Sequence, residues 1–242
     1  MWIAVVSAVA AVGPSDVEVC GTGCGGPMTL GGALVSPLNI PAWRDFPLRE
    51  RLHEHLGLPI VVDNDAKALA LGEGWTGAAA GERNFIGMVV STGVGGGIVL
   101  DGRLLDGEAG NAGHIGHVIV EPEGRVCGCG ARGCVEAEAS GTAIRSITGA
   151  APKDAPPEVR VRTGTLVGRA IASVANLLDL HLAVVAGSVA LGYGDAFFAA
   201  AQAEIDQRAR LSFSAGTRVV PGGLGADGPL IGAAAVGFRI HQ

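Results

Sequence analysis

Three cysteines inside a glycine-rich stretch constrain this sequence more than any other feature. Residues 110–136 read GNAGHIGHVIVEPEGRVCGCGARGCVE and carry Cys127, Cys129 and Cys134 in a C-x-C-x4-C spacing, ten residues after His117. Zn²⁺ in structural sites takes four nitrogen or sulfur ligands. Three cysteines and one histidine would complete that shell and leave no open position for catalysis.

The glycines between these cysteines favour a tight metal knot. Gly128, Gly130 and Gly133 allow the backbone to curl enough to direct three sulfurs at one point. Two alternatives stay open, a group of free buried thiols and a redox pair. A redox pair usually shows C-x-x-C, which this stretch lacks. We therefore predict a closed, structural zinc site at His117, Cys127, Cys129 and Cys134.

Composition excludes several classes of function. The chain of 242 residues has a formal net charge of −6, and its 17 basic residues are scattered. A nucleic-acid surface needs clustered Lys and Arg, so we expect no nucleic-acid partner. Four of the five cysteines lie in C-x3-C and C-x-C runs, which favours the reducing cytoplasm.

The apolar N-terminus could be mistaken for a targeting or membrane segment. Residues 2–12 resemble the core of a signal peptide, yet no positive residue precedes them and the first one is Arg44. The segment is also too short to span a bilayer. We predict a buried helix here, ended by Gly13-Pro14, and no membrane partner.

Apolar runs alternate between strand and helix patterns along the rest of the chain. Strands are predicted over 17–20, 59–62, 85–90, 98–100, 103–105, 181–185 and 218–220. Helices are predicted over 46–56, 66–75, 135–147, 165–178, 195–209 and 229–239. Residues 21–27 and 149–157 read as a glycine-rich loop and a surface linker. This alternation predicts an α/β fold.

A polar triplet follows the predicted strand 59–62. Asp63, Asn64 and Asp65 stand where ligands bind in open α/β sheets, at the carboxyl end of a strand. Asp63 or Asn64 could instead be the N-cap of the next helix. Asp65 is the better candidate for a base held against a substrate hydroxyl, near the interior.

A second glycine-rich segment, STGVGGG over 91–97, separates two predicted strands. Backbone N–H groups and hydroxyls in such a turn can hold a phosphate, although a structural hairpin would look the same. It is not a Walker A loop, because no G-K-[ST] follows, and it is not a Rossmann turn, because a strand comes next.

Six motifs in this order resemble the ROK family of repressors, open reading frames and sugar kinases. They are Asn64-Asp65, STGVGGG from Ser91, AGHIGH from Ala112, CGCGARGCVE from Cys127, AGSVA from Ala186 and LIGAAAV from Leu230. The resemblance implies an actin-like, ribonuclease-H-like α/β fold with two lobes. Residues 1–75 with 227–242 would form the first lobe, and 76–226 the second lobe with the zinc knot.

The resemblance also implies a reaction, transfer of the γ-phosphoryl group of ATP, with Mg²⁺, to the 6-hydroxyl of a hexose. Asp65 matches the general base. The residues that match sugar ligands are Asn64, His117 and Glu136, with His117 also a zinc ligand. The residues that match the ATP phosphate turn and the adenosine edge are Thr92, Gly93, Gly95, Gly187 and Ser188.

Two positions depart from the family pattern. His114 stands where most members carry Glu in the A-G-E-x-G-H run, which resembles bacterial N-acetylmannosamine kinases and favours a 2-acylamino sugar over glucose. The opening strand and D-x-G-G-T phosphate turn find no match in residues 1–14, so we expect an incomplete first lobe. The start would then be misassigned or trimmed, or the product would bind sugar without turnover.

Three hypotheses follow for the function. The leading one is a sugar kinase acting on a hexose or N-acylhexosamine such as glucose or N-acetylmannosamine. The second is a zinc-stabilised sugar-binding or regulatory protein without catalysis. The third, the repressor branch, needs an N-terminal helix-turn-helix and a basic surface, and neither is found. Family members are commonly dimers or tetramers, so we expect a homodimer or homotetramer.

Overall fold

The computed structural model describes residues 1–11, 17–37 and 40–241. Within them the strands are β1 Cys20–Cys24, β2 Ile60–Asn64, β3 Phe85–Val90, β4 Val94–Leu100, β5 Arg103–Leu104, β6 Leu182–Ala186 and β7 Arg218–Pro221. The α-helices are α1 Trp2–Ala10, α2 Leu48–Leu56, α3 Asp65–Thr76, α4 Val135–Ala139, α5 Gly141–Thr148, α6 Pro157–Leu178, α7 Ser188–Tyr193, α8 Asp195–Arg208 and α9 Gly228–Phe238.

The strands form two separate sheets. In the smaller one β1 and β2 pair in parallel, with Cys20 opposite Ile60 and Cys24 opposite Asn64. The larger has the order β5-β4-β3-β6-β7, in which β3, β6 and β7 are parallel and β4 and β5 are antiparallel to their neighbours. Every residue of β6 is buried, as expected for a central parallel strand covered on both faces.

Helix α3 lies between the two sheets. On one side it packs on α9, so closely that a Cβ on Gly72 would stand 3.0 Å from the Cα of Gly232. On the other side it packs on β3 and β4, where a Cβ on Gly97 would stand 2.8 Å from the Cβ of Ala70. Because α3 begins at Asp65, this packing determines where that carboxylate lies.

The largest core cluster lies around the five-stranded sheet. It is formed by β3, β6 and the helices that cover them, including Met88, Val185 and Phe197, which are fully buried. A smaller cluster around Val35, Leu52 and Trp43 lies beside the two-stranded sheet. None of the helices in the described ranges is long and apolar enough to cross a membrane.

The predicted alternation of strands and helices is confirmed, with several corrections. The first strand is Cys20–Cys24 rather than 17–20, so the first four residues of the predicted loop 21–27 pair with β2. Glycine suits this strand because α9 crosses it closely, and a Cβ on Gly21 would meet the carbonyl oxygen of Ala233. Likewise the turn in 91–97 is shorter than predicted, because β4 begins at Val94.

Other corrections concern the helices. The predicted helix 135–147 is two helices, because Ser140 has extended backbone and caps α5 through Ala143 N–H at 3.0 Å. The predicted linker 149–157 lies at the surface except for the buried Ala155, and it contains a 3₁₀ turn at Pro152–Asp154. Helix α1 forms as expected but buries no residue fully, so the prediction of a buried helix was wrong. Its predicted last residues and Gly13-Pro14 lie outside the described residues.

Candidate active site and metal centre

Two functional candidates stand where β2 gives way to α3. Asn64 is the N-cap of α3: its Oδ1 accepts hydrogen bonds from the backbone N–H groups of Ala66 and Lys67, at 2.9 and 3.3 Å. Its amide nitrogen remains directed toward the loop after β1, 3.3 Å from the point where a Cβ on Gly26 would stand. Asn64 therefore performs the capping role and still presents a donor above Gly26.

Asp65 is the first residue of α3 and its side chain is exposed. The expectation that Asp65 lies near the interior was wrong, because β2 ends at Asn64 and Asp65 already lies outside the sheet. One carboxylate oxygen accepts the backbone N–H of Ala66 at 2.9 Å. Its negative charge reaches β1, where burial first and Asp65 second raise the pKa of the Cys24 thiol to about 11. The carboxylate is thus open to a substrate at the carboxyl ends of β1 and β2.

His114 faces the same space from the opposite side. Its Nδ1 lies 2.8 Å from the carbonyl oxygen of Asn111, so Nδ1 carries a proton and donates it. In the neutral ring Nε2 is then an acceptor, and it lies 3.8 Å from the Cβ position of Gly26. Asn64 and His114 therefore meet over Gly26, one with a donor and the other with an acceptor.

The four predicted metal ligands come together. The ligand atoms of His117, Cys127, Cys129 and Cys134 all lie within 4.8 Å of one another. The Sγ atoms of Cys129 and Cys134 are 3.8 Å apart, and Cys127 Sγ is 3.7 Å from His117 Nδ1. Zn–S bonds of about 2.3 Å and Zn–N bonds of about 2.0–2.1 Å in a tetrahedron require similar edges. The donor set therefore fits a four-coordinate zinc ion.

Two features of the surroundings of this cluster are compatible with a metal. Burial first, and the neighbouring His114 second, lower the pKa of His117, which favours the neutral ring that binds metals. Gly133 has φ of +75°, and a Cβ there would overlap the carbonyl oxygen of Glu121. Gly130 also has positive φ, whereas Gly128 does not, so only two of the three predicted glycines are required by the curled backbone.

A buried carboxylate, Glu138, anchors the loop that carries the cysteines. Glu138, 1% exposed, accepts hydrogen bonds from the backbone N–H of Arg125 and from the guanidinium groups of Arg125 and Arg162. Burial alone would raise the pKa of Glu138, but these hydrogen bonds and charges lower it. Glu138 of α4, together with Arg162 of α6, thus holds the loop in place through Arg125, independently of the predicted metal ligands.

Glu136 connects the knot to the second glycine-rich turn. It lies two residues after Cys134 in α4, and its carboxylate accepts the backbone N–H of Val94. A Cβ on Gly93 would stand 3.1 Å from Oε1 of Glu136. Burial raises the pKa of Glu136, and the bond from Val94 only partly offsets this. The side chain predicted to bind sugar therefore also contacts the turn predicted to bind phosphate.

Four of the predicted nucleotide residues lie just after two neighbouring parallel strands, Thr92 and Gly93 after β3 and Gly187 and Ser188 after β6, whereas Gly95 lies in β4. Ser91 Oγ and Ser188 Oγ are 3.0 Å apart, which joins the two segments. Gly187 has φ of +101°, and a Cβ there would overlap the carbonyl oxygen of Val90. The carbonyl oxygen of Thr92 accepts the backbone N–H and the hydroxyl of Thr142, which fixes the turn on α5.

The two halves of the site are adjacent. A Cβ on Gly95 would stand 2.9 Å from the Cβ of Ala66, the residue directly after Asp65. The carboxylate at the start of α3 thus lies beside the hairpin that starts with Ser91.

The model of the ROK family matches residues 6–238.

The chain belongs to the ROK family.

Among solved structures it is similar to the ROK hexokinase of Thermus thermophilus, with 34% identity and a TM-score of 0.80 over 93% of this chain and 80% of that one. It is also similar to the ROK family glucokinase of Streptomyces griseus in complex with glucose and AMPPNP, with 29% identity and a TM-score of 0.81 over 98% and 88% of the two chains. The fold is therefore the two-lobed, actin-like α/β fold of ROK sugar kinases.

Curated relatives are named as kinases of two sugars. The glucokinase of Halalkalibacterium halodurans is 47% identical over 137 residues, which are 55% of this chain and 41% of the relative. The N-acetylmannosamine kinase of Citrobacter koseri is 41% identical over 175 residues, 66% of this chain and 60% of the relative. The chain thus spans less than two thirds of these curated relatives.

Sequence reasoning missed one group of charged residues in this ROK chain. Asp63 is not a helix cap: its carboxylate is buried and binds Arg239 and the backbone N–H of Asn64. Lys67 and Asp106 complete the group. The i,i+4 spacing of Asp63 and Lys67 was a visible signal. Nothing in the sequence indicated that Asp106 and Arg239 would join them.

Proposed function

We propose that this ROK protein is an ATP-dependent sugar kinase that transfers the γ-phosphoryl group to the 6-hydroxyl of a hexose or N-acylhexosamine, with glucose and N-acetylmannosamine as the candidates. One observation carries the proposal: Asn64 and His114 meet over Gly26, beside the exposed carboxylate of Asp65. A polar sugar needs such a set of donors and acceptors around a carboxylate that can take a hydroxyl proton.

The proposed roles are those that the resemblance to the family implies, and the positions of Asn64, Asp65 and His114 support them. Asp65 would accept the proton of the 6-hydroxyl as that oxygen attacks the γ-phosphorus and the bond to the β-phosphate oxygen breaks. Asn64, His114, His117 and Glu136 would hold the ring hydroxyls. Phosphoryl transfer depends mainly on positioning and on neutralising charge, so short distances between the two halves matter most. The contact of Gly95 with Ala66 supplies that proximity.

A zinc ion and ATP with Mg²⁺ would complete the proposed site. A zinc ion at His117, Cys127, Cys129 and Cys134 would fix the imidazole ring against the pocket without taking part in bond making. ATP would bind with Mg²⁺ between the turn carrying Thr92, Gly93 and Gly95 and the segment of Gly187 and Ser188. Magnesium would neutralise phosphate charge during transfer.

His114 supports an N-acylhexosamine as the preferred substrate. Because Nδ1 donates to Asn111, the neutral ring offers an acceptor to the pocket, and an amide N–H of an acylamino group is a matching donor. A sugar hydroxyl could donate to the same nitrogen, so both sugars remain within the proposal.

A sugar-binding or regulatory role without catalysis is the second candidate. The chain is also similar to a ROK family transcriptional regulator described as a homolog of the E. coli MLC protein, with 26% identity and a TM-score of 0.75. That likeness, covering 88% of this chain and 60% of the regulator, means that the fold alone does not decide between the two candidates.

The deciding experiment measures binding and turnover separately. ADP release is followed with glucose, N-acetylmannosamine and N-acetylglucosamine, and the affinity of each sugar is measured by calorimetry. Sugar-dependent ADP release with formation of the 6-phosphate supports the kinase. Sugar binding without ADP release supports the regulatory role, and neither binding nor release refutes both.

Several predictions accompany the proposal. The division into residues 1–75 with 227–242 and residues 76–226 stays a prediction, as do a homodimer or homotetramer and a cytoplasmic location. Limited proteolysis, light scattering and cell fractionation test these three in turn.

A further inference from the structure

Four charged side chains form a compact group beside the candidate sugar pocket. Lys67 Nζ donates to Asp106 Oδ1 at 3.0 Å, and it is 3.8 Å from Asp63 Oδ1. Arg239 donates to Asp106 Oδ2 at 2.9 Å and also binds Asp63. Two cations and two carboxylates thus alternate in a closed ring, here called the ionic ring, whose charges balance.

The ionic ring joins three parts of the chain that are distant in sequence. Asp63 is the last residue but one of β2, and Lys67 lies in the first turn of α3. Asp106 follows β5 of the five-stranded sheet, and Arg239 follows α9. The ionic ring therefore links the two-stranded sheet to the loop that follows β5 of the larger sheet.

Lys67 makes the decisive contacts. The residue is 1% exposed, and Nζ also donates to the carbonyl oxygen of Gly110 at 2.9 Å. A buried ammonium is costly unless acceptors and opposite charges surround it. Here Nζ donates to two atoms of the loop 106–110, and the carboxylate of Asp63 adds an ion pair at 3.8 Å. Lys67 therefore holds this loop at both ends.

The loop leads directly to His114. The carbonyl oxygen of Asp106 accepts a hydrogen bond from Ala112 N–H at 2.9 Å. The side-chain Nδ2 of Asn111 donates to the carbonyl oxygen of Met28 at 3.2 Å. The carbonyl oxygen of Asn111 in turn accepts from His114 Nδ1. A displacement at Asp106 or Gly110 would thus move the imidazole that faces Asn64.

We propose that Lys67 is a positioning residue of the sugar site: through Asp106 and Gly110 it fixes the loop that directs His114 toward the start of α3. This rests on the proposed function, because it assigns Lys67 to the sugar side of that site. Burial would raise the pKa of Asp106, but the hydrogen bond of Lys67 and the charge of Arg239 lower it, consistent with a carboxylate held in the ring at neutral pH.

The test compares Lys67→Met with Arg169→Met. Arg169 belongs to another ionic group, with Glu121 and Glu204, so it controls for loss of a paired cation outside the ionic ring. In Lys67→Met we expect the KM for the sugar to rise about tenfold or more, with the KM for ATP and kcat changed less than about threefold. Arg169→Met should lower the melting temperature without this split.

A double-mutant cycle with Asp106→Asn gives a second readout. If Lys67 acts through Asp106, the effects on the sugar KM will be strongly non-additive. A KM for the sugar that stays within twofold in folded Lys67→Met, or an additive cycle, overturns the proposal.

Hydrogen exchange separates this proposal from the proposed function. In Lys67→Met, amides over 106–117 should exchange about tenfold faster below the melting temperature, while those over 127–134 stay unchanged. If the wild type neither binds nor phosphorylates sugar, the proposed function fails, yet faster exchange over 106–117 still supports positioning by Lys67. Unchanged exchange there refutes the positioning role whether or not the protein is a kinase.

Discussion

The carboxylate of Glu136 accepts a hydrogen bond from the backbone N–H of Val94. One side chain of α4 thereby contacts the first residue of β4, and α4 itself begins directly after the predicted metal ligand Cys134. The metal knot and the proposed phosphate turn are thus two residues and one hydrogen bond apart.

Substitution of Glu136 should therefore affect both substrates. Glu136→Ala removes the acceptor for Val94 and a proposed sugar ligand, and a lost bond to a charged group costs about 1.5–3 kcal/mol. We expect the KM values for ATP and for the sugar both to rise about tenfold or more, measured with the other substrate saturating. A variant in which only the sugar KM changes would show that the contact with Val94 is incidental.

Asp65→Asn should separate binding from chemistry. The side chain is exposed and the asparagine oxygen can still accept from Ala66, so the fold should be unaffected. Without a base, kcat should fall about 10²–10⁴-fold, while the sugar affinity measured by calorimetry stays within about threefold. Substantial turnover by this variant would remove Asp65 from the role of base.

Cys129→Ala should remove zinc without creating a cavity. Cys129 is exposed whereas Cys134 is fully buried, so the substitution deletes a ligand and little packing. Because the binding energy of a structural metal is folding energy, we expect loss of bound zinc and a lower melting temperature. Cys20→Ala is the control, since Cys20 lies outside the cluster, and its zinc content should equal that of the wild type. Full zinc occupancy in Cys129→Ala would disprove the ligand set.

His114→Glu should shift sugar preference toward glucose. A glutamate accepts from two hydroxyls, whereas His114 with Nδ1 bound to Asn111 offers one acceptor. We expect the ratio of kcat/KM for glucose over N-acetylmannosamine to increase about tenfold or more, equivalent to roughly 1.4 kcal/mol. His114→Gln is the matched control for size, and it should shift the ratio less. An unchanged ratio in His114→Glu would mean that this position does not read the substituent on the sugar.

Glu204→Gln should change how stability depends on pH. Burial alone raises the pKa of Glu204, but the hydrogen bonds and charges of Arg169 and Arg208 outweigh it and lower the pKa from its ordinary value of 4.5. Since the pKa is lower in the folded chain than in the unfolded chain, the stabilisation is complete above about pH 4.5 and is lost as pH falls through the folded value.

The expected difference in unfolding free energy between wild type and Glu204→Gln is about 1.5–3 kcal/mol at pH 7, the range for hydrogen bonds to charged groups. It should shrink as the pH falls below 4.5. Taking the difference between the two proteins cancels any acid sensitivity that both share through the predicted zinc ligands. A difference independent of pH would mean that the charge on Glu204 is not what stabilises α8 against α6.

Much of the site could be predicted because its signals are local. Cys127, Cys129 and Cys134 lie within eight residues, and the metal cluster follows from their spacing. Asn64 ends an apolar strand and Asp65 follows it, which places them at the carboxyl edge of a sheet. In these cases a short stretch of chain contains nearly all the information that positions the side chains.

The errors arise where distant segments decide the local structure. Gly21 to Cys24 looks like a loop, yet it is a strand because β2 and α9 lie against it. The exposure of Asp65 depends on where α3 begins, which its N-cap sets. The ionic ring needs Asp106 and Arg239, which are 133 residues apart in sequence. Such long-range partners leave no mark on the periodicity of either segment.

Because α3 lies between the two sheets, substitutions far from the pocket can displace the start of this helix. The helix touches α9 through Gly72 and Gly232, and it touches the larger sheet where Gly97 meets Ala70. A methyl group at Gly72 or Gly97 would act as a wedge, with a typical cost of about 1–3 kcal/mol for overpacking. Since the helix is common to both sheets, the resulting displacement would be delivered to its first residue, Asp65. The absence of a side chain at Gly72 and Gly97 thus helps to set the orientation of the Asp65 carboxylate.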